Sequence, residues 1–171
     1  HWANRQATTQ LEPYVEELTG MKMIPIKGGE LEIIINGRVH TEIVEPFYIG
    51  ETEVSIGQWF AIREKDTGYD PKEETHKGKG GGPKNIRDSN LPATGMSFLN
   101  VKRYVDYLAM RTGKDYRIPT HAQWLVACRG LEQPAEGIYG KITKENANIR
   151  FGDDFPDVLP VRHLQPNSQG L

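Results

Sequence analysis

A single tight-turn signal near the start of the chain restricts the fold more than any other sequence feature. Asn36-Gly37 separates two apolar runs, Leu31 to Ile35 and Val39 to Val44. Asn and Gly tolerate positive φ angles, and a two-residue Asn-Gly connection is typical of a β-hairpin with a type I′ turn. Further strands are predicted at Met21 to Ile26 and Phe47 to Ile49. The early chain is therefore expected to form an antiparallel sheet.

Residues 1–20 are predicted to form a linker and a short helix ahead of the main domain, which is expected over residues 21–171. His1 to Thr9 is polar and aperiodic, as in a linker. From Leu11 to Leu18 the apolar residues recur at helical spacing, and Gly20 is expected to end that helix.

Each of the next three predicted helices begins with a hydroxyl residue that is followed, three positions later, by an amide residue. Ser55 and Gln58 fit the capping-box pattern, as do Thr120 and Gln123, whereas Ser97 and Asn100 fit it only loosely. The second helix is expected to end at Gly113 and the third at Gly130. The residues expected to face the core are Ile56, Trp59, Phe60, Phe98, Val101, Tyr104, Val105, Leu108, Trp124, Leu125 and Cys128.

Composition limits the possible classes of function. A chain of 171 residues with net charge -2 has the length of one domain and no general attraction to nucleic acid. The longest apolar runs are far shorter than the ~20 residues of a membrane span. Cys128 is the single cysteine and is expected to be a packed core thiol rather than a nucleophile. The sequence assigns no cellular compartment.

Two other features of the sequence, a glycine- and lysine-rich loop and the histidines, lack the residue patterns of the sites that they suggest. Residues 66–90 are predicted to form a long surface loop. Its run from Lys77 to Lys84 lacks the strand, the Gly-Lys-Ser/Thr motif and the helix of a phosphate-binding loop. The histidines of the predicted domain are scattered, without the short spacing of a transition-metal site; they are His40, His76, His121 and His163.

The segment from Tyr116 to Gly130 carries a resemblance to a known family. It reads Tyr-Arg-Ile-Pro-Thr-His-Ala-Gln-Trp and then Ala-Cys-Arg-Gly after two residues. This is similar to the signature of the formylglycine-generating-enzyme, or sulfatase-modifying-factor, family. Met23 to Gly29 and Pro166 to Leu171 continue the family order. The resemblance implies an α+β, C-type-lectin-like fold with an antiparallel sheet, packed helices and much irregular structure.

The sequence also departs from the family pattern. His121, Gln123 and Leu125 occupy positions that are usually acidic. In the enzymes of the family, which are copper-dependent oxidases, the resemblance places the catalytic cysteine pair in a segment that would follow Leu171. Copper is therefore expected only if such a segment carries that pair, and no catalytic residue is assigned here.

The resemblance also implies a possible calcium site. Family members bind this ion through a side-chain amide and a following carbonyl at the positions matching Asn148 and Ile149, and Asp153 and Asp154 lie nearby. Oxygen ligands in a loop suit calcium. The alternative interpretation is a local turn with solvated aspartates.

Two functions remain open. The first is a non-catalytic recognition module that binds a protein or glycan, as in receptors diversified by retroelements, which resemble this family. The second is the front part of a formylglycine-generating oxidase or a related sulfoxide synthase. Because the apolar strands need neighbours, a downstream segment or a second chain is also expected to complete the sheet.

Overall fold

The computed structural model describes residues 11–62, 88–132, 142–143, 145–148 and 158–171. Its regular elements, in chain order, are β1 (Tyr14–Val15), β2 (Lys22–Ile26), β3 (Gly29–Ile35), β4 (Arg38–Val44), β5 (Phe47–Gly50), α1 (Ile56–Ala61), α2 (Phe98–Thr112) and α3 (His121–Arg129). This α+β arrangement, with antiparallel sheets and few helices, confirms the predicted fold class.

A three-stranded antiparallel sheet has β2 at its centre, between β1 and β5. Side chains on β2 alternate between its two faces, as in any strand. Met23 packs against the helices α1 and α2, whereas Ile24 and Ile26 pack against α3 and the β3–β4 hairpin. The sheet therefore lies between two apolar cores, and β2 is covered on both of its faces.

The helix predicted from Leu11 to Leu18 is wrong, because this segment forms the short strand β1 and a turn. Tyr14 pairs with Met23 of β2. After the strand, the Glu16 carboxylate accepts hydrogen bonds from the backbone N–H groups of Leu18 at 3.0 Å and Thr19 at 2.9 Å. Sheet pairing and this local turn satisfy backbone groups that a helix would otherwise use.

The predicted hairpin is confirmed. Strands β3 and β4 pair in antiparallel register from Gly29 opposite Val44 to Ile35 opposite Arg38. Asn36 and Gly37 have φ angles of 51° and 74°, the left-handed values that a type I′ turn requires. Within the described residues β3 and β4 have no other strand partner, so the hairpin forms a separate two-stranded sheet.

The predicted helix starts are also confirmed. Ser55 and Thr120 form complete capping boxes with Gln58 and Gln123, and the Ser97 side chain accepts a bond from the backbone N–H of Asn100. These bonds satisfy N–H groups that the first turn of a helix leaves without partners.

Two aromatic residues predicted to face the core are instead exposed. Phe98 is 73% exposed and Trp124 is 45% exposed. On α3 the inward face is formed by Ala122, Leu125 and Val126, which recur at spacings of three and four residues. Trp124 precedes Leu125 by one residue, which rotates it about 100° away from that face.

No helix in the described ranges is long and apolar enough to span a membrane.

Candidate functional site

The segment from Tyr116 to Gly130, which carries the sequence signature, uses its polar groups to hold elements together. The hydroxyl of Tyr116 lies 2.9 Å from the hydroxyl of Tyr14 on β1. Burial, followed by this hydrogen bond, raises the pKa of Tyr116 above its ordinary value. The neutral phenol therefore acts as a structural tie between the signature and β1.

Arg129 connects the end of α3 to the hairpin. Its guanidinium donates to the backbone carbonyl of Glu32 on β3 at 3.1 Å and also to the carbonyl of Glu132. Its Nε is buried and has no hydrogen-bond partner among the described residues. A planar guanidinium that reaches two carbonyls fixes the angle between the helix and the strand.

The three departures from the usual signature have different structural consequences. Gln123 completes a capping box with Thr120, so an amide supports the helix start there. Leu125 is 0% exposed in the core, where a carboxylate would be costly to bury. His121 is exposed at the first position of α3.

The segment Pro166 to Leu171 closes onto α3 through Asn167. The Asn167 side chain donates to the backbone carbonyls of Ala127 and Cys128, both at 3.0 Å. Its Oδ1 accepts from the backbone N–H of Gln169 at 2.9 Å and from that of Leu171 at 3.2 Å. The Asn167 side chain therefore caps two carbonyls in the last turn of α3 and also stabilises the loop that contains it.

Asn167→Asp tests this double role. The carboxylate keeps the acceptor oxygen but loses the two donated bonds, and it places a negative charge at the C-terminal end of α3. We expect the free energy of unfolding in urea to fall by about 1–2 kcal/mol. Gln165→Ala, in the same loop and exposed, should change it by less than about 0.5 kcal/mol. Equal values for the two variants would contradict the capping role.

A second polar tie joins the same C-terminal loop to the central sheet. Glu51 accepts a bond from Lys22 on β2 at 2.6 Å and another from Arg162. The bond from Lys22 holds the pKa of the Glu51 carboxyl below its ordinary value, burial opposes this, and the charge of Arg162 adds to the lowering. The ionised carboxylate is the form that the fold stabilises.

This shift predicts an acid-dependent loss of stability. Because the pKa of Glu51 is lower in the folded chain, its contribution is complete above the ordinary value of 4.5 and is lost as the pH falls through the folded-state pKa. We expect Glu51→Gln to lower the unfolding free energy at neutral pH and to converge with the parent chain in acid. Urea titrations across this range measure it. The exposed Glu53→Gln is the control, and a pH-independent difference would contradict the prediction.

An open pocket of about 370 Å³ lies beside the point where Arg129 meets the hairpin. It is lined by Glu30 and Glu32 of β3 together with Leu131 and Glu132. It is a shallow, open depression rather than an enclosed cavity. Three carboxylates around one half-buried leucine suit a cationic group that has an apolar stem.

The solvent-facing side of the hairpin continues from this pocket. Directly opposed residues of an antiparallel pair share a face. The register therefore places three pairs on this side, namely Glu30 with Ile43, Glu32 with Thr41 and Ile34 with Val39. All six residues are exposed. We call this the outer hairpin face.

The predicted calcium ligands are only partly described. Asn148 is exposed and follows a turn in which the Asn146 side chain accepts from the backbone N–H of Thr143 at 2.7 Å. Ile149, Asp153 and Asp154 lie outside the described residues. Among the residues that the structure does describe, no group of three or more His, Cys, Asp or Glu could hold a metal ion.

The remaining candidates are not brought together. Cys128 is half-buried rather than fully packed, and burial raises the pKa of its thiol although the neighbouring Arg129 opposes this. His40, His121 and His163 are each exposed, and His76 lies outside the described ranges, as does the run from Lys77 to Lys84.

Comparisons with known proteins identify the family of this domain and a solved structure of similar fold. The family model described as "Sulfatase-modifying factor enzyme 1-like domain" matches residues 8–171. Among solved structures, the chain is similar to CarF, with a TM-score of 0.60 and 20% identity over 88% of this chain and 75% of that one. This likeness concerns the fold. A search of curated proteins gave no match.

Proposed function

The chain belongs to the sulfatase-modifying factor enzyme 1-like family, and from that premise we propose that residues 1–171 act as a non-catalytic recognition module for a protein or glycan ligand. The observation that carries the proposal is a group of large apolar side chains left exposed on the outer hairpin face. On that face Ile34 is 48%, Val39 59% and Ile43 70% exposed. Exposed apolar surface rimmed by polar groups is typical of interaction sites.

The roles of the signature residues support binding rather than catalysis. Tyr116 and Arg129 direct their polar groups to the fold itself, as does Asn167 in the closing loop. A scaffold whose signature residues bond to the fold itself also suits the retroelement-diversified receptors that resemble this family.

The test is binding without conversion. Arrays of peptides and glycans are probed with the labelled chain, and each retained ligand is released and compared by mass spectrometry with its starting form. We expect retention of at least one ligand in unchanged form. If every retained ligand is chemically altered, the recognition proposal fails.

The alternative proposal is that residues 1–171 form the front part of a copper-dependent formylglycine-generating oxidase or a related sulfoxide synthase whose catalytic residues lie beyond Leu171. The family match over residues 8–171 favours it. We also propose that a downstream segment or a second chain completes the sheet. The hairpin is where this would occur, because within the described residues β4 pairs only with β3. Sequencing the coding region past Leu171 separates the oxidase from the recognition module.

We also propose calcium binding by Asn148 and Ile149 with Asp153 and Asp154. The oxygen-rich composition of this segment supports the proposal. We expect added calcium to raise the melting temperature, by an amount that corresponds to about 2.7 kcal/mol at a hundredfold excess over Kd. The increase should vanish in Asn148→Ala and persist in the nearby Glu145→Gln. An unchanged melting curve for the parent chain would contradict the site.

A further inference from the structure

We propose that the outer hairpin face and the adjoining pocket form a docking surface for a protein segment that carries apolar side chains next to a lysine or arginine. This inference rests on the proposed recognition function and names the chemistry of the partner. It concerns Glu30, Glu32, Ile34, Val39, Thr41 and Ile43 on the face, with Leu131 and Glu132 at the pocket.

The apolar part of the surface is large for an exposed hairpin. Ile34, Val39 and Ile43 are 48%, 59% and 70% exposed. Ile34 and Val39 oppose each other next to the turn, and Ile43 lies further along β4 on the same side. On the inner side of the hairpin, Leu31 and Ile33 are covered by other apolar side chains. The three β-branched residues on the solvent-facing side have no such cover among the described residues.

Charge complementarity specifies the occupant. Glu30, Glu32 and Glu132 form no ion pair and their carboxylates accept no hydrogen bond from any residue in the described part of the chain. Arg129 is a nearby cation, but its described bonds go to the backbone carbonyls of Glu32 and Glu132. Within the described residues, three carboxylates at one pocket therefore retain an unmatched negative charge, and an incoming ammonium or guanidinium would be attracted to it.

The pocket and the face fit one segment because they share residues. Glu30 and Glu32 line the pocket and also belong to the outer face, each opposite a β4 residue. A lysine or arginine can place its stem against Leu131 and its charge among the carboxylates. Its apolar neighbours then lie over Ile43 or over Ile34 and Val39. An acidic segment would be repelled from the same place.

The probes are synthetic peptides in which leucine alternates with lysine, or leucine with glutamate, plus a lysine-only peptide. Each is fluorescently labelled and titrated with the full 171-residue chain. The alternating leucine–lysine peptide should bind at least about tenfold more tightly than either of the others, because only it satisfies both parts of the surface. If the lysine-only peptide binds with the same Kd as the leucine–lysine peptide, the apolar residues of the surface do not contribute to binding and the proposal is overturned.

Variants locate the site. Glu32→Gln and Ile43→Ser should each weaken binding of the leucine–lysine peptide by about fivefold or more. Glu42→Gln is the matched control, since Glu42 opposes Leu31 and lies on the other side of the same hairpin, and it should change Kd by less than about twofold. If Glu42→Gln and Glu32→Gln weaken binding equally, the attraction is a general charge effect and the docking surface is excluded.

Two further outcomes separate this inference from the proposed function. If sedimentation shows that the chain forms a dimer that Ile43→Ser dissociates, the occupant is a second copy of this chain and the proposed partner is wrong. If the arrays yield an unchanged ligand whose affinity is insensitive to Glu32→Gln and Ile43→Ser, the recognition function stands and this surface is wrong. Circular dichroism of both variants should match the parent chain, because both positions are exposed.

Discussion

Replacing Gly28 with alanine is expected to abolish the folded domain. A Cβ at this position would lie 2.1 Å from the backbone carbonyl oxygen of Val44 and 2.5 Å from the backbone nitrogen of Pro46. These atoms belong to the end of β4 and to the link between β4 and β5, so relief requires the backbone to move rather than a side chain to rotate. We expect a loss of more than about 5 kcal/mol of unfolding free energy, which reaches the whole stability of domains at the low end of the usual range of about 5–15 kcal/mol.

The matched control for Gly28 is Gly20→Ala. Gly20 has a φ of 71°, but a methyl group added there would have no other atom within 4 Å, so the variant has conformational strain without a steric clash. This strain costs about 1–2 kcal/mol. Circular dichroism and thermal unfolding should therefore show a folded, less stable Gly20→Ala protein and a largely unfolded Gly28→Ala protein. If the melting temperature of Gly28→Ala equals or exceeds that of Gly20→Ala, the close approach of Gly28 to the backbone of Val44 and Pro46 is contradicted.

Truncating Leu125 should have the second largest effect. Leu125 is 0% exposed and packs with Ile26 and Leu31, where α3 meets both sheets. Removing a fully buried leucine side chain leaves a cavity, and Leu125→Ala is expected to lower the free energy of unfolding by about 2–5 kcal/mol. Urea denaturation monitored by tryptophan fluorescence and circular dichroism measures the change.

The adjacent Trp124→Ala is the control for Leu125→Ala, and it also tests which face of α3 lies inward. Trp124→Ala removes more atoms than Leu125→Ala, but the Trp124 side chain is 45% exposed. Its removal should therefore lower the free energy of unfolding by less than the removal of the Leu125 side chain. The opposite order would mean that the inward face is the one expected from the sequence, with Trp124 and Cys128 in the core. Because removing Trp124 also removes a fluorophore, circular dichroism provides the comparison.

The features that could be predicted from the sequence are those determined by neighbouring residues. The turn at Asn36-Gly37 requires only two residues that accept positive φ angles, and Asn36 and Gly37 both have positive φ angles. The caps at Ser55 and Thr120 require only a partner three residues later, and both form complete capping boxes. Local hydrogen bonds of this kind depend little on the rest of the fold, so their sequence patterns are reliable.

The features that could not be predicted depend on distant contacts. The segment at Tyr14 has helical apolar spacing, yet Tyr14 pairs with Met23 and bonds to Tyr116, which lies 102 residues further along the chain. On α3, both Trp124 and Leu125 are apolar enough to face inward, and the position of the sheets decides between them. Propensity is a weak guide when tertiary contacts compete with it.

Part of the candidate site could be predicted from the sequence. Once the turn at Asn36-Gly37 fixes the register, simple alternation places Ile34, Val39 and Ile43 on one side of the hairpin. The pocket could not be predicted, because Leu131 and Glu132 reach β3 only through the position of α3 and the bonds of Arg129. Because these residues are far apart in the sequence, no local sequence pattern indicates that Leu131 and Glu132 lie beside β3.

The proposal that residues 1–171 have no oxidase activity of their own is tested most directly by one assay. A cysteine-containing sulfatase peptide is incubated with residues 1–171, copper and oxygen, and its cysteine is followed by mass spectrometry. Since the chain has a single cysteine, which is half-buried and has a raised pKa, we predict that the peptide cysteine stays unmodified. Formation of formylglycine in the peptide, at a rate that depends on both the chain and copper, would contradict the proposal.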